Sequence, residues 1–199
     1  MFFFSFFSSD GKVLSESEMV VMQKVSKPRQ SDAEKVALAI IKDAKRDKSK
    51  DWLHGASVDK DGHTWVGNGF LMMEFENQIV LSTTPECGST WLKYWEAKSM
   101  TMKNDFVTEE LPAYAELKEK LSKTRAEAKA NHNWPCTLVY VTETGTAFNV
   151  QFLMWAIKAT GMQTIHISGK RTPCYLEGNG VWFCVLPINT THEHGYYSF

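Results

Sequence analysis

Four cations stand close together early in the chain: Lys35, Lys42, Lys45 and Arg46. Ammonium and guanidinium groups on a common face neutralise phosphates, and such contacts give salt-dependent affinity that is blind to base sequence. Lys158 is the one cation on a second helical run. The plainer alternative for all five is a solvated charged face, and it weighs more heavily for Lys170 and Arg171, which sit in a turn. A different phosphate chemistry is available at Pro85-Glu-Cys-Gly-Ser-Thr-Trp-Leu92, a loop between a β-prone run and a helical one. Backbone amides at a helix start can cradle a phosphate, although Glu86 would repel it. The histidines offer little. His166-Ile-Ser168 is a single His-x-Ser element that neither His54 nor His63 duplicates, and His192-Glu-His194 gives two metal ligands without a third. The carboxylates show no paired spacing for acid–base work. No catalytic residue, no metal and no cofactor is expected.

The composition is that of an ordinary soluble globular protein. The 199 residues carry 22 Lys and Arg against 23 Asp and Glu, a net charge of −1, so a wholly basic nucleic-acid binder is excluded and a protein with one basic face is not. Apolar residues make 43% and aromatics 13%, enough for a core without staples. Cys87, Cys136, Cys174 and Cys184 form no Cys-x-x-Cys pair and read as reduced, mostly buried thiols of a cytoplasmic protein. No apolar run reaches the length of a membrane span. The short Phe2–Phe7 stretch reads as an edge strand or a greasy arm, with a membrane-surface anchor as the alternative.

The elements that must carry these residues follow from periodicity. A helix over residues 31–50 starts at Ser31 or Asp32, with Val36, Ile40 and Ala44 beside Ala37 and Ile41 as its apolar stripe. Residues 52–83 switch to short β-prone runs at 52–58, 63–66, 70–75 and 78–82, separated by Asp-Gly and Asn-Gly punctuation. Residues 114–130 are a strong helix by propensity, poor in apolar positions, and are expected to cross the surface as a solvated connector. A strand at 137–142 precedes a helix over 150–160, capped by Asn149 and closed by Gly161. Strands follow at 164–168, 172–176 and 181–186, and the polar, aromatic tail from Asn189 is expected to be loose.

The two ends of the chain repeat each other. Ala39-Ile-Ile-Lys42 matches Trp155-Ala-Ile-Lys158, and each helix is followed by two strands, a Gly-Asn-Gly turn (67–69 or 178–180) and a strongly apolar strand. One helix-on-sheet unit used twice would cover its own apolar faces about a pseudo-dyad. Chance recurrence of Gly-Asn-Gly is the alternative.

The second copy resembles a known family. Phe148-Asn-Val-Gln-Phe-Leu-Met-Trp-Ala-Ile-Lys-Ala, the Thr164-Ile-His-Ile strand, Thr172-Pro-Cys-Tyr-Leu-Glu and Val185-Leu-Pro-Ile188 are similar to the last domain of the bacterial sliding DNA clamp, the β subunit of DNA polymerase III. The resemblance implies an α+β, DNA-clamp-like single domain of two βαβββ halves with antiparallel sheets. Half one falls at about 11–83, a helical insertion at about 84–135, half two at about 136–188 and a tail at 189–199. It implies contact with duplex DNA through Lys35, Lys42, Lys45, Arg46 and Lys158. It also implies a groove at Leu176, Leu186, Pro187 and Ile188 for short apolar peptides of replication partners. A clamp subunit has three such domains and this chain has room for one, so a ring would require a homo-oligomer. The function expected is therefore non-enzymatic. Two alternatives remain: a clamp-fold interaction module without DNA binding, and an enzyme. Residues 85–92 carry the second, since they resemble the phosphate-cradling loop of sulfotransferases, whose lysine this chain lacks.

Overall fold

The computed structural model describes residues 30–79, 81, 90–102, 105–132, 136–189 and 196–198. The chain divides into two compact units, Met1–Ser31 and Asp32–Phe199, and all that follows concerns the second. The Phe2–Phe7 stretch, the lead-in of half one over 11–29, the 82–89 part of the Pro85 loop and His192-Glu-His194 lie outside the described residues.

Helix α1 (Asp32–Ala44) opens with Asp32 and Glu34, acids that favour a helix N-terminus. It buries the expected stripe, Val36, Ala37, Ile40, Ile41 and Ala44. It stops at Ala44 rather than near residue 50, because Asp47 turns the chain by accepting from the Ser49 amide and hydroxyl at 3.0 and 2.6 Å. A single 3-10 turn, Asp51–Leu53, then plants Leu53 in the interior.

Strands β1 (Ser57–Val58), β2 (Thr64–Gly67) and β3 (Leu71–Phe75) form the expected antiparallel meander. The run at 52–58 contributes only its last two residues to a strand. The described residues of 78–82 form none; there Ile79 N donates to Thr64 Oγ1 instead.

The segment between the halves is not purely helical. It holds α2 (Thr90–Thr101), β4 (Val107–Glu110) and α3 (Tyr114–Ala130). Strand β4 pairs antiparallel with β7 (Thr164–Ile167) at the edge of the main sheet. Helix α3 is no free connector either, since Leu117, Leu121 and Ala128 are buried, the two leucines within the core that α4 (Val150–Thr160) also enters. Its remaining faces are exposed and charged, as its composition requires.

Half two begins with the hairpin β5 (Thr137–Val141) and β6 (Ala147–Asn149). Asn149 Oδ1 accepts from Gln151 N to cap α4, and Gly161, at φ 72°, returns its N–H to Ile157 O. Strands β7, β8 (Cys174–Gly178) and β9 (Val181–Val185) follow. The tail is not wholly loose: β10 (Tyr196–Ser198) runs parallel to β5 as the third strand of a small sheet.

The main sheet has seven strands in the order β1-β2-β3-β9-β8-β7-β4, every pairing antiparallel. The third strands of the two halves meet at its middle, with Met73 opposite Phe183. Each half thus runs helix, strand, strand, Gly-Asn-Gly, strand, and the two share one continuous sheet with α1 and α4 side by side. The leading strand expected of half one lies outside the described residues, and half two opens in the small sheet.

Alternation sorts the central strands between two cores. Leu71, Met73, Phe75, Val181, Phe183 and Val185 face α1, α3 and α4. Met72, Trp182 and Cys184 face the other way, with Trp65, Tyr175 and Tyr94 of α2. A sheet covered on both sides explains why β3 and β9 read as almost unbroken apolar runs. Each large side chain fully buried there contributes about 1.5–3 kcal/mol.

Candidate nucleic-acid interface

Helical geometry decides where the α1 cations point. Lys35 and Lys42, at i and i+7 of α1, share one stripe, and Lys45 and Arg46 follow in the turn just past its end, their amides bonding back to Ile41 O and Asp43 O. The stripe lies opposite the buried stripe of α1, and all four residues are exposed. The sheet lies under the buried stripe, so the cations project from the helical layer away from the sheet. Lys158 emerges from α4 next to the start of α1, its Nζ 3.8 Å from Asp32 Oδ1. The structure therefore brings the five predicted DNA-contact residues to the outer surface of the same layer.

Their partners are weak ones. Lys35 Nζ donates to Asp32 Oδ1 at 2.9 Å and Arg46 Nη1 to Asp43 Oδ1 at 3.0 Å, both one turn along the helix. Exposed pairs of this kind contribute about 0–1 kcal/mol, little enough for a phosphate to compete. Lys42 and Lys45 have no carboxylate partner among the described residues. Asp43 is committed elsewhere as well, since its Oδ2 accepts from Asn68 Nδ2 at 2.8 Å. Asn68 Oδ1 in turn accepts from the amides of Phe70 and Leu71, so the first Gly-Asn-Gly turn is stitched to the C-terminal end of α1.

A cavity of about 490 Å³ opens beside the stripe, between α1, α3, α4 and β5. Lys42 lines it from α1, Arg46 from the turn after α1 and Arg125 from α3, with Phe152 and Trp155 of α4 as its aromatic wall. Arg125 Nη2 reaches Gln151 Oε1 at 3.2 Å. The sequence alone does not single out Arg125, because α3 also exposes Lys118, Lys123 and Lys129 and only packing selects one.

The predicted peptide groove divides. Leu176 is fully buried in the helix-side core and cannot line a surface groove, because it occupies an inward position of β8. Ile188 is half-buried and bridges to β6, donating its N–H to Ala147 O at 2.8 Å. Pro187 is half-buried and Leu186 exposed. Leu186 does line an apolar pocket of about 180 Å³, together with Trp52, Leu53, Leu71, Met72 and Tyr94.

One titratable cluster went unnoticed in the sequence. Ligating atoms of Asp59, His63 and Glu74 lie within 4.8 Å of one another. Every carboxylate oxygen there already accepts a hydrogen bond. Asp59 Oδ1 takes the amides of Asp61 and His63, Asp59 Oδ2 takes the Trp65 indole N–H, Glu74 Oε1 faces His63 Nδ1 at 2.8 Å, and Glu74 Oε2 takes Lys98 Nζ. Burial pushes the Asp59 carboxyl up, but the hydrogen bonds from Trp65, His63 and Asp61 outweigh it and hold the group below its ordinary range. The cluster is a hydrogen-bonded cross-link from α2 to the sheet. The signal available in the sequence is Glu74 itself, a lone acid in an apolar strand, which must have a partner.

His166, Cys174 and Cys184 are spent on packing. The His166 ring stacks on Tyr175, centroids 4.7 Å apart, and meets the edge of Phe106. Cys174 and Cys184 are buried; burial pushes both thiols up, that of Cys184 to about 12, which keeps them from acting as nucleophiles. No helix among the described residues is long and apolar enough to cross a membrane.

Comparison with family models and with curated proteins finds no match. Among solved structures, DNA polymerase III subunit beta from Borrelia burgdorferi, in complex with a natural product, aligns over 90% of this chain and 70% of its own. The identity is 13% and the TM-score 0.44. The beta subunit from DNA polymerase of Streptococcus pyogenes aligns over 83% of this chain and 69% of its own, at 14% identity and a TM-score of 0.44. The chain thus has a remote structural similarity to sliding-clamp subunits.

Proposed function

We propose that this chain is a non-enzymatic, sliding-clamp-like protein of DNA replication that holds duplex DNA against the outer face of its helical layer. It works as a homo-oligomer, each copy supplying one such face. The observation that carries the reading is the cation stripe of Lys35, Lys42, Lys45 and Arg46, set opposite the buried side of α1 and extended by Lys158. Binding is to phosphates and indifferent to base sequence. Neutralising one phosphate per cation gives a slope of about −4.5 in log affinity against log salt. Fluorescence anisotropy with a labelled duplex over a salt series measures it. Reversing two charges, Lys42→Glu with Lys45→Glu, lowers the slope by about 2. A strictly monomeric protein with no duplex affinity at low salt overturns the proposal.

A second reading, an interaction module that binds a partner but no DNA, is favoured by the apolar pocket at Leu186 and Trp52. It would accept one or two apolar anchors of a short replication-protein peptide. Peptide affinity without salt-dependent DNA affinity would select it. The sulfotransferase-like alternative rests on residues 85–92, most of which lie outside the described residues, and the wholly antiparallel main sheet does not favour it.

A further inference from the structure

We propose that the cavity between α1, α3, α4 and β5 is a nucleotide site, taking a planar base together with its phosphate. Its volume of about 490 Å³ falls in the range of small-ligand sites, roughly 300–1,000 Å³. Two chemistries meet in it that the α1 stripe alone does not combine. Lys42, Arg46 and Arg125 stand against one carboxylate, Asp43, already shared between Arg46 and Asn68 at 3.0 and 2.8 Å. A phosphate therefore finds a surplus of cations, two of them guanidinium forks suited to its oxygens. Facing them, Phe152 and Trp155 stack on each other with centroids 5.6 Å apart at 29°, and both are only half-buried. A half-covered ring pair beside cations is what a base needs in order to stack while its phosphate is held.

Duplex DNA cannot use this wall, because its bases are stacked inside the helix and only its backbone reaches the protein. The ligand is therefore either a free nucleotide or an unpaired residue of a single strand. The inference does not require the duplex reading, since Arg125, Phe152 and Trp155 lie outside the predicted duplex contacts.

Cys136 lines the same cavity and is half-buried, which gives the site a built-in reporter. Calorimetry with adenosine triphosphate and anisotropy with a labelled single-stranded oligo-dT measure binding by the full chain. Thiol alkylation resolved by peptide mapping measures occupancy at Cys136. One or both ligands are expected to bind, to slow Cys136 alkylation several-fold, and to lose about tenfold or more in affinity in Arg125→Glu, an exposed position whose change leaves the core intact. Trp155→Ala is expected to weaken nucleotide or oligonucleotide while leaving inorganic triphosphate unchanged, a difference that misfolding would not produce. Binding of adenosine triphosphate alone identifies a free nucleotide as the ligand, and binding of oligo-dT alone identifies an unpaired strand. Absence of both up to millimolar concentration overturns the proposal. So does inorganic triphosphate competing as well as the nucleotide, or Cys136 left unprotected in the bound state. Nucleotide binding in a protein that ignores duplex DNA supports this site and removes the duplex reading.

Discussion

The two halves of the domain share a topology and differ in what they show to solvent. In each, a helix lies on three strands, a Gly-Asn-Gly turn joins the second strand to the third, and the turn's Asn meets the end of the helix. Asn68 donates to Asp43 near the end of α1, and the Asn179 amide sits against Gly161, the residue that closes α4. Yet α1 exposes a row of cations, whereas α4 exposes Lys158 with the aromatic pair Phe152 and Trp155. The difference has a packing cause. Helix α3 lies along α4 and covers one of its flanks, so more of α4 must be apolar, while α1 keeps a free outer side. The shared topology sets the frame, and the chain between the halves decides which of them keeps a charged surface.

The comparison breaks first at the seam. Met73 and Phe183 are opposed across the β3–β9 junction and both are fully buried. Phe183→Ala should cost about 3–5 kcal/mol and Met73→Ala about 2–5 kcal/mol. If the halves share one core, either change shifts a single urea transition. Two separated transitions in either variant would show two independent units in place of a pseudo-dyad.

A smaller loss tests the turns, which are alike in sequence and unlike in mechanism. Asn68 works through its side chain, accepting two amides and donating to Asp43, whereas Asn179 works through its backbone at φ 53°. Asn68→Gly should therefore destabilise by about 1–3 kcal/mol, the cost of leaving buried groups unpaired. Asn179→Gly should be nearly neutral, since glycine adopts that backbone freely. Equal losses in thermal unfolding would mean that the two turns hold their hairpins in the same way.

Legibility in the sequence followed the same division. Helix α4 was readable from cap to close because Asn149, the apolar positions and Gly161 act locally. The α1 stripe and both Gly-Asn-Gly turns were readable for the same reason. Strand β4 was not: Val107-Thr-Glu-Glu has no alternation and a single apolar residue, and it is a strand because β7 offers it an edge. There Glu109 accepts from Tyr140 at 2.6 Å and Glu110 from Thr164 at 2.9 Å. The parallel pairing of β10 was hidden likewise, since only the completed β5–β6 hairpin creates its partner. Of the interface, the cations on one helix were visible, but the approach of Arg125 to Phe152 and Trp155 exists only once α3 has docked.

The Asp59–His63–Glu74 cross-link has no counterpart described in half two, and pH sharpens that contrast. The folded Asp59 carboxyl lies below its ordinary value of 3.8, so the unfolded chain takes up its proton first as pH falls. The contribution of Asp59 is complete above about pH 4 and is lost as pH drops through the lower, folded value. Comparing the urea midpoint from pH 5 to pH 3 in the wild type and in Asp59→Asn isolates it. The variant should be less stable at pH 5, and the gap should narrow toward pH 3. A gap that does not change with pH would mean that the carboxylate charge plays no part in the cross-link.

The smallest effect concerns a carboxylate that both halves share at the outer face. Asp32 Oδ1 lies 2.9 Å from Lys35 of α1 and 3.8 Å from Lys158 of α4, so it screens a cation from each copy. Its pairs are exposed, and as an acid in the first turn of α1 it also favours the helix dipole. Asp32→Asn should therefore cost only about 0.5 kcal/mol of stability. The same change releases two cations toward solvent and removes a negative charge from the path of a phosphate. If the layer of α1 and α4 is a single DNA-facing surface, duplex affinity should rise about two- to fivefold at low salt, with the gain fading as salt is added. If only α1 faces the duplex, removing Lys158 by Lys158→Ala in the Asp32→Asn background leaves that gain intact. If the halves act together, it takes part of the gain away.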